Sequence, residues 1–159
     1  MKSNFPKYML GILAVSGSLL LLSSFNLKKE KCNKEKMLQQ AYPKLKQFTL
    51  IQDYPFYLRK KKKNDPVEYS KQIVTLNRGI RYKFYAIRNE EYDGVPIVSI
   101  FNNEKQEFLI GSTYSTNLKR FYEEIEFECK TTGNYCLSFS FLDGVEGCGL
   151  GIYSSLVKE

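Results

Sequence analysis

The sequence predicts an all-β protein: an antiparallel β-sandwich, jelly-roll-like, with seven to nine strands and an N-terminal hydrophobic helix ahead of it. Three observations carry that expectation. Beyond residue 46 apolar side chains recur at every second position, turn-forming pairs separate these runs at hairpin spacing, and no long segment has helical period. A chain of 159 residues suits one domain plus a tail.

Residues 1–27 form the first element, a signal peptide or membrane anchor. Residues 9–25 carry no charge and follow a start with only Lys2 and Lys7, the layout of an export signal. As a helix rising about 1.5 Å per residue they reach roughly 25 Å, enough to span the hydrocarbon with their flanks. No Ala-x-Ala site follows, and Ser23 and Ser24 have Leu21 and Leu22 two positions before them, which favours retention over cleavage. Cys32 follows Lys29, Glu30 and Lys31, not the small residues that lipidation requires. Lys28, Lys29, Lys31, Lys34 and Lys36 after the apolar run oppose translocation. The expected location is nonetheless exported, periplasmic or outer-surface, with residues 9–25 as either the signal or a retained anchor, because short apolar N-terminal segments direct export.

Residues 28–46 read as a polar stalk with a short helix, in which Met37, Leu38, Ala41 and Tyr42 make a weak amphipathic turn ended by Pro43. Residues 47–159 are the β-sandwich domain. Apolar residues alternate around Phe48-Thr49-Leu50, Tyr82-Lys83-Phe84, Ile97-Val98-Ser99-Ile100 and, most cleanly, Ile125-Glu126-Phe127-Glu128-Cys129. Turns are expected at Asn64-Asp65-Pro66, Asn77-Arg78-Gly79, Asp93-Gly94, Asn102-Asn103, Thr132-Gly133 and Asp143-Gly144.

Charge excludes one broad class. The net charge of +7 comes entirely from residues 1–46, which hold nine lysines against two glutamates; the remainder has 15 basic and 15 acidic side chains. A nucleic-acid partner is not expected, since the folded part has no net positive field. That part is polarised, with ten basic against six acidic residues over 47–103 and five against nine over 104–159. Such asymmetry suits mixed-sign packing within one domain, a head-to-tail homo-oligomer or contact with a charged partner. The absence of histidine removes Ser-His-Asp and Cys-His catalysis and every histidine-containing zinc site. No cofactor or metal site is expected.

Strand parity sorts the four cysteines. Cys129 shares the inward face of Ile125 and Phe127, whereas Cys136 alternates against Tyr135, Leu137, Phe139 and Phe141 and so faces out. Cys148 lines up with Leu150 and Ile152. The expected couples are therefore Cys129 with Cys148, as a disulfide or as two buried thiols, and Cys32 with Cys136, in an oxidising compartment.

Arg59, Lys60, Lys61, Lys62 and Lys63 form a basic run between Tyr54-Pro55-Phe56-Tyr57-Leu58 and Asn64-Asp65-Pro66. It reads as a solvated loop or lysine-guarded edge, or as an anionic contact with a membrane surface or an acidic polymer. Asp143-Gly144-Val145-Glu146-Gly147 lacks a calcium-loop pattern and reads as a turn. Glu124, Glu126 and Glu128 read as the wet face of a sheet.

Four segments, Ile73 to Phe84, Gly111-Ser112-Thr113-Tyr114, Phe127 to Tyr135 and Gly147 to Ile152, resemble the blocks of a family of small, uncharacterised exported bacterial β-sandwich proteins over about residues 45–157. Their order is also similar to pre-peptidase C-terminal and Golgi-dynamics-like domains. The resemblance implies a jelly-roll-like sandwich without assigned catalytic residues; the pre-peptidase likeness implies an accessory module beside an enzyme. The expected function is a non-enzymatic binding or assembly module of the cell envelope, partnered by an envelope protein or an anionic membrane surface. The alternatives are a secreted carbohydrate-binding domain, an accessory subunit of a secretion or motility machinery, and a hydrolase using paired carboxylates.

Overall fold

The computed structural model describes residues 32–156. The apolar segment 9–25, expected as a helix, lies outside these residues. No helix among the described residues is long and apolar enough to cross a membrane.

One helix, α1 (Lys34–Leu45), precedes ten strands: β1 (Phe48–Leu58), β2 (Ser70–Leu76), β3 (Arg81–Arg88), β4 (Pro96–Phe101), β5 (Leu109–Ser112), β6 (Tyr114–Ser115), β7 (Arg120–Phe121), β8 (Ile125–Glu128), β9 (Gly133–Phe141) and β10 (Gly147–Leu156). The body is thus all-β and antiparallel. The count exceeds the expected seven to nine because β6 and β7 pair as a separate two-residue ribbon. The other eight form two four-stranded sheets in the orders β1-β10-β3-β8 and β2-β9-β4-β5.

Side-chain alternation fills the space between the sheets. Tyr82 and Phe84 of β3, Val98 and Ile100 of β4, and Leu137, Phe139 and Phe141 of β9 belong to one buried cluster, as their period of two requires. The turns keep their sequence chemistry: Gly79 and Gly144 have positive φ (81° and 67°), where a Cβ would be strained. Asp143 shares that region at φ 55° in the short turn Leu142–Gly144.

The strand β10 departs from the two-faced pattern, being buried along both faces over Gly147 to Ser154. Cys148, Leu150 and Ile152 point away from the other sheet into a second buried cluster with Met37, Ala41 and Leu45 of α1. Gly147, Gly149 and Gly151 occupy the inter-sheet face, where the rings of Phe141, Phe56 and Phe139 leave no room for a Cβ. The segment expected as a stalk therefore contributes a layer of the body. Its helix starts at the N-cap Asn33, whose side chain accepts from the Lys36 amide at 3.1 Å. Pro43 sits inside the last turn instead of ending the helix.

The disulfide follows from this third layer. Cys32, just ahead of α1, bonds Cys148 on the outer face of β10, with Cα atoms 5.6 Å apart. This corrects both expected couples. Cys129 lies in the inter-sheet core and Cys148 under the helix, so the sheet backbone separates them. Cys136 does point away from the inter-sheet core, but it is 0% exposed because the β4–β5 loop folds over it, and Gln106 Nε2 stands 3.4 Å from its sulfur. Cys129 and Cys136 are both free thiols.

Candidate functional site

The basic run is the site the sequence singled out. β1 ends at Leu58, opposite Gly147 of β10, and Arg59 to Lys63 continue from it toward β2. Arg59, Lys60, Lys62 and Lys63 are exposed and Lys61 half-buried. The Lys61 amide donates to the Gly144 carbonyl at 2.8 Å, which fixes the run against the Leu142–Gly144 turn. None of the five cations forms an ion pair among the described residues. Arg59 to Lys62 wall a cavity of about 190 Å³ together with Asp65, Pro66 and Glu68. A concave, mostly cationic surface on a rigid strand end suits an anion or a layer of anionic headgroups.

Cys32 lies at the same end. Its partner Cys148 stands opposite Tyr57, two residues before Arg59. The disulfide thereby holds the first described residue beside the basic run, while α1 leads away across the sheet to Lys83.

The acidic stripe is used internally. Glu124 and Glu126 pair with Lys83 Nζ at 2.9 and 3.5 Å, and Lys83 is only 1% exposed. Its ammonium also lies 4.5 Å from the centre of the Phe48 ring and 3.5 Å from the Lys44 carbonyl at the end of α1. Beside it the Tyr85 hydroxyl donates to the Ala41 carbonyl at 2.9 Å. Burial, reinforced by the Glu124 charge, pushes that hydroxyl up to about 12. Lys83 and Tyr85 thus anchor the helix to β3. Glu128 pairs with Lys130 at 2.8 Å.

The remaining predicted residues do not converge. The Tyr135 hydroxyl donates to the Thr131 carbonyl at 2.7 Å beside the Cys129 thiol, inside the core. Burial first, then the hydrogen bond and charge of Cys129, push this hydroxyl up to about 12. Glu146 accepts from the Tyr57 hydroxyl at 2.6 Å, which raises the tyrosine pKa, and Asp143 stands in its turn. Among the described residues no group of three or more Cys, Asp or Glu side chains is placed to hold a metal ion.

Sequence reasoning missed a second recess, of about 250 Å³, lined among others by Lys44, Ala86, Arg88, Phe121 and Tyr122. It follows from the mismatch between the eight residues of β3 and the four of β8, which becomes visible only in the structure. Neither a protein-family model nor a curated protein matches this chain.

Proposed function

We propose that this chain is a non-enzymatic binding or assembly module on the extracytoplasmic side of the cell envelope, with its basic end against an anionic membrane surface. The body is read as a jelly-roll sandwich. What supports that reading is the strand order, in which the first strand lies beside the last in one sheet and the second beside the penultimate in the other. The disulfide supports an oxidising compartment.

The observation that carries the membrane contact is the shared position of Cys32 and Arg59 to Lys63. The apolar run 9–25 ends seven positions before Cys32, with Lys28, Lys29 and Lys31 in between. An anchor attached at that end presents the basic loop to the same lipid surface. Each basic residue near an anionic leaflet contributes about 1 kcal/mol at ordinary salt.

Two arms test this on the full chain. Protease accessibility on intact cells is expected to cut the body from outside the cytoplasm; a tagged chain recovered in the cytosol overturns the location. In detergent dilution into vesicles, the wild-type chain is expected to favour phosphatidylglycerol-containing over phosphatidylcholine vesicles. Replacing Lys60 to Lys63 by serine is expected to reduce that preference about tenfold or more, and the preference is expected to fall with salt. An unchanged preference overturns the contact.

A further inference from the structure

The strand β3 is an interior strand with half of one edge uncovered. It pairs with β10 over Tyr82 to Arg88, but with β8 only over Arg81 to Phe84, because β8 begins at Ile125 opposite Phe84. In an antiparallel ladder successive residues bond to opposite sides. The Cys129 amide donates to the Ile80 carbonyl at 2.9 Å on the β8 side, and the Asn89 amide to the Cys148 carbonyl at 2.9 Å on the β10 side. Counting by two from each, Lys83, Tyr85 and Ile87 bond toward β10, and Ala86 and Arg88 turn their amide and carbonyl groups toward the side that β8 leaves empty. No hydrogen bond reaches those groups from that side among the described residues. Interior strands rarely leave backbone groups unpaired unless water or another chain meets them.

The gap opens into the recess of about 250 Å³. Phe121 and Tyr122, each 41% exposed, offer it aromatic surface. Lys44 and Arg88 line it with no ion pair among the described residues; Arg88 acts on Glu90 only as a nearby charge, and Glu123 is the one acid of the lining. Two cations against one acid favour an acidic occupant.

We propose that this gap is a strand-addition site for an extended acidic segment of a partner protein, which hydrogen-bonds to Ala86 and Arg88 in line with β8 and sets its acidic side chains toward Lys44 and Arg88. Main-chain bonds to an open edge supply affinity in this mode, and the flanking side chains supply selectivity. The assignment stands apart from the lipid contact, because it uses a different strand edge and is tested without lipid.

The full chain in neutral detergent is titrated with a fluorescent peptide of about eight residues in which glutamate pairs alternate with valine pairs, a strand-length probe that carries acids on both faces. Saturable binding is expected. Affinity is expected to drop about tenfold or more when lysine replaces glutamate in the peptide, and likewise in the double variant Lys44→Glu, Arg88→Glu. Methylating every second peptide nitrogen is expected to abolish binding in one register and spare it in the other, since only alternate amides face the sheet. Hydrogen exchange reads the site directly: the amides of Ala86 and Arg88 are expected to gain protection on binding, while Tyr85 and Ile87 are protected throughout. Ala86→Pro is expected to abolish binding if it folds, and the methylated peptides make the same test without altering the protein. The proposal is overturned by no saturable binding below about 1 mM, by equal affinity for both methylation registers, by an unaffected double variant, or by new protection that leaves Ala86 and Arg88 unchanged.

Discussion

At the scale of single residues, Lys83 and Gly151 show how side-chain chemistry decides what sits where. Lys83 is buried beneath α1, yet its ammonium meets two carboxylates, an aromatic face and a helix-end carbonyl. Removing one partner of such a pair costs more than removing both, because the survivor keeps its desolvation. Lys83→Ala is therefore expected to lower stability by about 2–4 kcal/mol in urea unfolding, through the lost contacts and the cavity left behind. Lys83→Met combined with Glu124→Gln is expected to lie within about 1.5 kcal/mol of wild type; a double variant as damaged as the alanine would refute this account. Gly151 makes the opposite case. The Phe139 ring occupies the space its Cβ would need, so Gly151→Ala is expected to cost about 1–3 kcal/mol, and Phe139→Leu in the same chain to recover part of it. Lys83 was legible only as a polar residue between Tyr82 and Phe84, since nothing local announces that Glu124 and Glu126 lie across the ladder from it. The alternation of Gly147, Gly149 and Gly151 was visible, and it marks close approach of rings on that face.

At the scale of elements, alternation was legible wherever one face is wet. Ile125 to Cys129 and Tyr135 to Phe141 point their apolar sets inward as period two demands. The reading fails where a third layer removes the wet face. The apolar set of β10 faces α1, and a thin stripe of Met37, Ala41 and Leu45 within a polar sequence gave little sign that the helix would pack there. That third layer is what parts Cys148 from Cys129: the set that Cys148 shares with Leu150 and Ile152 is apolar as parity expects, but it faces α1 and not the other sheet. Cys136 takes the face that parity gives it, but a loop contact five residues past β4 buries it, and period says nothing about loops. The bond between Cys32 and Cys148 closes 116 residues, which in the chain-entropy picture stabilises by about 4–5 kcal/mol. Cys148→Ser, or reduction, is expected to lower the unfolding midpoint and to make α1 the first proteolytic site. Non-reducing peptide mapping is expected to return Cys32 joined to Cys148, with Cys129 and Cys136 reactive toward thiol reagents only after denaturation. A peptide joining Cys129 to Cys148 would sink this layer arrangement.

At the scale of the whole molecule, the two buried clusters share β3 and β10, whose alternate residues serve one cluster and then the other. Phe84 and Tyr153 face the other sheet, with rings 5.5 Å apart, while Tyr85 and Ile152, their sequence neighbours, face α1. Neither layer can open without disturbing a strand of the other, so the body should unfold in one transition. Alkali tests this because tyrosines sit in both layers. Burial raises the hydroxyl pKa of Tyr85 under the helix to about 12, of Tyr135 between the sheets to about 12, and of Tyr153 further still. An unfolded tyrosine ionises near about 10. Between these values the unfolded chain has released protons that the native chain retains, so it binds fewer protons and stability must fall as pH rises. Each tyrosine contributes a decline of about 1.4 kcal/mol per pH unit, present in full once the unfolded chain is ionised and ending only as the native pKa is passed. Unfolding in alkali is therefore expected above about pH 10, with the phenolate absorbance of Tyr85, Tyr135 and Tyr153 appearing together with loss of the far-ultraviolet β signal. Tyr85 sits under the helix and Tyr153 between the sheets, so a phenolate step that Tyr85→Phe removes and that precedes loss of the β signal would mean that α1 lifts off by itself. The layers would then be independent, and the shared strands would not couple them.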